Sequence, residues 1–239
     1  MARLKGKGIE TFYYLIDQLA DSDRLVTHKL EKNGFHRADY QFDKEQIMFV
    51  HLPKTGGTSI TRLLQKDTRN RFAHLDIHKP VSALCKPQDY RYITVMRDPV
   101  SRVWSQYQML LRMEDGYPYR NFAKRGLETL LQKCWAVRNM NCRYLAADVH
   151  TEPNEETLAL AKENLASCFE IIDFADFHNQ VHKLMNTLEL PVEAIPNERK
   201  AKYGPPDKKS AELILQYNEL DQALYDYWQS SIKQKEVLP

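Results

Sequence analysis

Ile47-Met48-Phe49-Val50-His51-Leu52-Pro53-Lys54-Thr55-Gly56-Gly57-Thr58-Ser59-Ile60 decides how this chain is read. An apolar run rich in β-branched and aromatic residues stops at Pro53. A lysine, two glycines and two hydroxyl residues follow before helical patterning resumes. That order spells a strand, a tight anion-cradling turn and a helix N-terminus. Glycines let backbone N–H groups turn toward an anion, and Lys54 adds a full positive charge beside them. The bland alternative for this segment alone is a turn that merely joins strand to helix. A Walker A loop, GxxxxGK[ST], puts its lysine after the glycines. Here Lys54 precedes them and that pattern does not occur, which disfavours an ordinary P-loop kinase.

A second segment narrows the reading. Arg91-Tyr92-Ile93-Thr94-Val95-Met96 reads as a buried strand that ends at Arg97-Asp98-Pro99. Asp98 suits an N-cap and Pro99 the first helical position, with the helix running to about Met113. Arg97 and Ser105 can converge on one anion: a guanidinium forks two N–H groups to phosphate oxygens and a hydroxyl adds a third donor. Alone, a capped helix with surface arginines explains this segment nearly as well. Together, in this order, the two segments are much harder to dismiss as plain structural turns.

Outward from these motifs, strand 47–52 feeds the glycine turn and Thr58–Gln65 continues as a helix. Residues 121–135 and 153–166 carry helical patterns, Cys168–Asp173 reads as a third strand, and a helix is expected across Phe174–Leu188. A Pro-, Lys- and Arg-rich loop covers 191–209, and a closing helix spans Ser210–Ser230. Strands alternating with helices imply an α/β fold, a parallel sheet covered on both faces with its ligand at the strands' carboxyl ends. Ile9, Phe12, Tyr13, Ile16, Leu19 and Ala20 form the stripe of an N-terminal helix, and Asn33-Gly34 reads as its stop signal. The expected organisation is a helical extension over 1–40 followed by the main domain over 41–239.

Bulk properties exclude several classes. The 34 basic and 32 acidic residues leave a net charge of +2, so no general affinity for nucleic acid is expected. No apolar stretch approaches the roughly 18 residues needed to span a bilayer, and the basic N-terminus lacks the apolar core of a secretory signal. Cys85, Cys134, Cys142 and Cys168 form no CxxC pair, which favours buried thiols in a reducing compartment; a Cys134–Cys142 bridge stays open. A soluble cytoplasmic protein is the expectation.

Pro53-Lys54-Thr55-Gly56-Gly57-Thr58-Ser59 resembles the 5′-phosphosulfate loop of sulfotransferases that use 3′-phosphoadenosine 5′-phosphosulfate (PAPS). Arg97-Asp98-Pro99 through Arg102 and Ser105 resembles their 3′-phosphate motif. The spelling is most similar to the branch containing heparan sulfate 2-O- and 6-O-sulfotransferases and small bacterial relatives, over about 45–230. Weaker likenesses are Phe169-Glu170, Asn197 and a terminal helix with Asn218, Asp221, Leu224 and Tyr225. The resemblance implies a P-loop-like parallel β-sheet flanked by helices, the sulfotransferase fold. It also implies in-line transfer of a sulfuryl group to a hydroxyl, on a small-molecule or glycan-like carbohydrate acceptor, with 3′,5′-ADP leaving.

On that reading Lys54 stabilises charge on the bridging oxygen, while Thr55 and the N–H groups of Gly56, Gly57, Thr58 and Ser59 hold the 5′-phosphate. Arg97 and Ser105 hold the 3′-phosphate. A base is also needed, and histidine titrates in the right range. His74 is the first candidate, in the short strand-like run 71–78, with His78 and Asp76 as alternatives and a merely structural His74 kept open. His74 and His78 lack a nearby third ligand for a metal, and no metal is expected. His178 and His182 read as a solvated helix face. Arg199 and Lys200, in the basic loop, are the candidates for closing over the nucleotide, although a solvated loop is an equal reading. Arg62 can face the acceptor or solvent. The absent anchor departs from the Golgi enzymes of this branch and leaves a trimmed Golgi-lumenal form as the lesser option. A monomer or homodimer is compatible. The rival readings are an ATP-dependent nucleotide or small-molecule kinase, and a non-catalytic glycan- or nucleotide-binding module.

Overall fold

Short strands, buried on both faces along nearly their whole length, set the architecture. A computed structural model describes residues 46–69, 71–73, 91–115, 119–134, 137–146, 152–191 and 203–232, so the expected helix over 9–20 lies outside it. In chain order the elements are β1 (Ile47–Val50), α1 (Gly57–Leu64), β2 (Phe72–Ala73), β3 (Arg91–Met96) and α2 (Pro99–Arg112). There follow α3 (Arg120–Lys124), α4 (Leu127–Lys133), α5 (Met140–Ala146), α6 (Glu155–Ala166) and β4 (Glu170–Asp173). A 3₁₀ turn (Phe174–Asp176) leads into α7 (Phe177–Thr187), and α8 (Lys208–Gln216), α9 (Glu219–Tyr227) and a π turn (Trp228–Ile232) close the described chain.

The four strands pair in the order β2-β1-β3-β4, all parallel. Side chains alternate across a strand, so each strand feeds two cores. Met48, Val50, Tyr92, Met96 and Ile171 face one side, where Leu145, Leu158, Leu165, Leu224 and Trp228 cover them. Ile47, Phe49, Ile93, Val95 and Ile172 face the other, under Ile60 and Leu64 of α1 and Val181, Leu184 and Met185 of α7. A third cluster joins α2 to α3, α4 and α8 through Val103, Leu110, Phe122, Leu130, Leu131 and Ile214. The doubly covered parallel sheet expected from the sequence is therefore present. No helix among the described residues is long and apolar enough to cross a membrane.

Asp98 caps α2 as expected: its Oδ1 accepts from the Ser101 N–H at 2.8 Å, with Pro99 at the helix start. Other elements differ from expectation for local reasons. The strand drawn over 47–52 ends at Val50, where the Leu52 N–H turns back onto the Val50 carbonyl at 3.1 Å. The pattern over 121–135 splits into α3 and α4 at Gly126, whose φ of 115° few other residues adopt. Lys208 and Lys209, assigned to the basic loop, begin α8 behind an Asp207 cap. Cys134 and Cys142 are free and buried, so they form no bridge.

The helix expected over 210–230 breaks at Tyr217-Asn218 because Asn218 is recruited elsewhere. Its Nδ2 donates to the Ile214 carbonyl at 2.9 Å, and its Oδ1 accepts from the Asn139 N–H at 2.9 Å. The helix α5, absent from the sequence reading, has a cap from a distant segment. The Asp221 carboxylate accepts from the Asn141 and Cys142 N–H groups at 3.1 and 2.9 Å. Asn139 Oδ1 returns a bond to the Asp221 N–H at 3.1 Å.

Arg102 completes this network and is fully buried, as is Asp221. Its guanidinium lies 3.5 Å from the Asp221 carboxylate and donates to the Val137 carbonyl at 3.0 Å and to Gln106 Oε1 at 3.2 Å. Burial pushes the arginine down and the aspartate up, and each partner's charge opposes the other's shift. Arg102 thus ties α2 to α5 and α9, which commits it to protein partners. Asp221→Asn keeps the shape and strands a buried charge, so it should cost about 3–5 kcal/mol. Urea unfolding measures this; a loss below about 1 kcal/mol would contradict the tie.

Candidate functional site

Three strand ends meet at one edge of the sheet. The chain moves from β1 outward to β2, then from β3 outward to β4 on the opposite side. The crevice between β1 and β3 is thus the topological switch point, the place where open α/β sheets bind ligands. The turn after β1 and the Arg97 segment after β3 both open there.

The turn is held in an uncommon backbone shape. Lys54 has φ 69° and Gly56 φ 80°, both left-handed. For a lysine this conformation costs on the order of 1–2 kcal/mol, and it persists where surrounding contacts hold it. Two contacts do so. The Thr55 hydroxyl donates inward to the Leu52 carbonyl at 2.7 Å, and Arg97 donates to the Lys54 carbonyl at 2.7 Å. Thr55 therefore offers a ligand its N–H, with its hydroxyl already committed. The Ser59 N–H likewise closes the first turn on the Gly56 carbonyl at 3.1 Å. The N–H groups of Gly56, Gly57 and Thr58 make no backbone hydrogen bond among the described residues. These three open α1 at the positive end of its dipole.

Gly57 is required for a reason outside the turn. A Cβ there would overlap Cδ2 of His51, whose buried ring is stacked on Phe49. The imidazole fills the space that any side chain at 57 needs.

Across the crevice, Arg97 is gripped on several sides. Its Nε donates to Ser101 Oγ at 3.0 Å, and the Ser101 hydroxyl donates to the Asp98 carbonyl at 3.0 Å. Its guanidinium carbon stands 4.1 Å from the centre of the Phe174 ring. Burial lowers Arg97 to about 10 against an opposing pull from nearby Tyr203, which leaves it charged at neutral pH. Ser101, Ser105 and Met109 follow one another at single-turn spacing along α2. Arg97 binds the first, and the Lys54 ammonium lies 3.6 Å from the thioether of the last. Ser105, buried, lies between them. A thioether is a weak acceptor, easily exchanged for an anionic oxygen.

Phe174 and Phe177, whose rings lie 5.6 Å apart, back the same crevice. A Cβ on Gly56 would approach Phe177 to 3.0 Å and Phe174 to 3.3 Å. Beside α2, Tyr203-Gly204 docks at the end of the basic loop: Trp104 Nε1 donates to the Gly204 carbonyl at 2.8 Å, and Arg112 lies over the Tyr203 ring.

The structure therefore brings Lys54, Thr55, Gly56, Gly57, Thr58, Ser59, Arg97 and Ser105 around one crevice. His74, His78, Asp76, Arg199 and Lys200 lie outside the described residues. β2 runs parallel to β1 and ends at Ala73, directly before His74 in sequence. Arg62, His178 and His182 are exposed. His51, Ser101, Phe174, Phe177 and Tyr203 were not singled out as site residues by sequence. Only Ser101, one turn beyond Arg97, carried a local signal. No protein-family model matches the chain, and a search of curated proteins found no match.

The packing of His51 under Gly57 is directly testable. Gly57→Ala should cost about 1–3 kcal/mol by overpacking. In His51→Ala/Gly57→Ala the methyl gains room, and a double-mutant cycle should show at least about 1 kcal/mol of relief. Additive losses in chemical unfolding would contradict this packing.

Proposed function

We propose that this protein is a sulfotransferase that uses PAPS and passes its sulfuryl group to an acceptor hydroxyl, on a carbohydrate or glycan-like molecule. The observation that carries the reading is the 2.7 Å bond from Arg97 to the Lys54 carbonyl. It holds the cation of the second motif against the backbone of the first, which supports one shared site for a nucleotide phosphorylated at both ends. A 3′-phosphate needs such a second anion site, which plain adenosine 5′-nucleotides do not use.

The residues suit this donor. Gly56, Gly57 and Thr58 present N–H groups to a 5′-phosphate at a helix N-terminus, and Arg97 with Ser105 offers a fork and a hydroxyl to a 3′-phosphate. In the reaction the acceptor oxygen forms a bond to sulfur as the bond from sulfur to the bridging oxygen breaks. The acceptor proton passes to a base, for which His74 is the proposed residue, and 3′,5′-ADP departs. As in phosphoryl transfer, positioning and electrostatics dominate such a reaction. Lys54, released from Met109, neutralises charge growing on the bridging oxygen. The carbohydrate acceptor rests on the resemblance of the two motifs to the glycan-modifying branch.

The test is transfer from sulfur-labelled PAPS to a panel of sugar, phenol and lipid hydroxyls. Labelled product is expected, and Lys54→Ala should lower kcat by about 10²–10³-fold with the fold intact. Transfer of the γ-phosphate from ATP with no sulfuryl transfer would replace this reading with a kinase.

A further inference from the structure

β4 contributes a part that neither motif contains. Met96 pairs with Asp173 at the end of the β3–β4 ladder, so the next residues, Arg97 and Phe174, leave the sheet side by side. The Arg97 guanidinium carbon lies over the Phe174 ring, 4.1 Å from its centre. Two edges of that guanidinium are already fixed, Nε on Ser101 and one terminal nitrogen on the Lys54 carbonyl. With the Phe174 ring packed beside it as well, movement of the guanidinium is resisted on a third side. The cation and ring attract, more strongly where burial excludes water.

We propose that Phe174 is a positioning residue for donor selection: it fixes the plane of the Arg97 guanidinium so that its remaining N–H edge meets the 3′-phosphate of the nucleotide. This rests on the sulfotransferase reading and deepens it. Discrimination between 3′-phosphorylated and plain nucleotides then depends on an aromatic face supplied by a third strand. Asp173 holds the turn that presents it, accepting from the Ala175 N–H at 2.8 Å. The bond from Arg97 to the Lys54 carbonyl does not need the ring, so removing the ring is expected to act chiefly at the 3′ end.

The experiment measures Kd for 3′,5′-ADP and for 5′-AMP by calorimetry on the full chain and on Phe174 variants. The wild-type chain should bind 3′,5′-ADP more tightly. Phe174→Leu should narrow that preference by about 5–30-fold, through the 3′,5′-ADP affinity, while 5′-AMP affinity changes less than about 2-fold. Phe174→Tyr, which keeps the π face, should restore the wild-type ratio. Phe174→Met, close in volume and without a π face, should repeat the leucine result and serves if the leucine variant does not fold. Equal weakening of both ligands would assign the ring a general packing role and overturn the inference, as would an unchanged ratio in the leucine or methionine variant. A wild-type chain that binds 3′,5′-ADP no better than 5′-AMP would fail at the earlier step, overturning the donor reading and this inference with it.

Discussion

One hydrogen bond, from the Arg97 guanidinium to the Lys54 carbonyl, joins what the chain keeps far apart. It holds a lysine in a left-handed backbone conformation that lysine does not favour, at the lip of a glycine turn. A charged donor makes a stronger bond than a neutral one, and burial sharpens it. The arginine assigned to one anion on the proposed reading therefore also shapes the backbone nest assigned to the other. Breaking that bond would disturb both halves, which is the property expected of a site that must grip two ends of one small molecule.

The rest of the fold keeps that bond in place. The parallel register of β1, β3 and β4 delivers Lys54, Arg97 and Phe174 to one edge. The helix that starts beyond Arg97 is pinned by Arg102 to Asp221, and through that carboxylate to the start of α5. Two arginines five residues apart thus do opposite work. Arg97 stands at the crevice, where the proposed reading gives it a ligand, whereas Arg102 is buried with a partner and gives α2 one fixed orientation. Such buried pairs add little net stability over apolar packing, yet breaking one is costly, so their effect is to specify arrangement.

Much of this was legible in the sequence because its signals are local. A strand that ends in glycines and a lysine, and a helix opened by Asp98-Pro99, declare themselves within a dozen residues; so does the alternation that builds a two-sided sheet. What escaped notice is non-local. The α5 segment has its cap on a carboxylate brought from the far end of the chain, so its own residues carry no start signal. Asn218 reads as an ordinary helical residue until the Asn139 N–H claims its side chain and breaks the helix. His51 reads as the end of a strand; that its ring occupies the place of a Cβ at Gly57 follows only from packing. Phe174 reads as the start of a helix, and its contact with Arg97 exists because of a strand register that composition does not reveal.

The shared crevice is tested most directly by the crystal structure of the protein with 3′,5′-ADP. The 5′-phosphate is expected on the N–H groups of Gly56, Gly57 and Thr58, and the 3′-phosphate on Arg97 and Ser105. Donor–acceptor distances should be about 2.7–3.2 Å. A nucleotide bound elsewhere, or one whose 3′-phosphate faces solvent while Arg97 keeps only its protein partners, would contradict a single site built from both motifs.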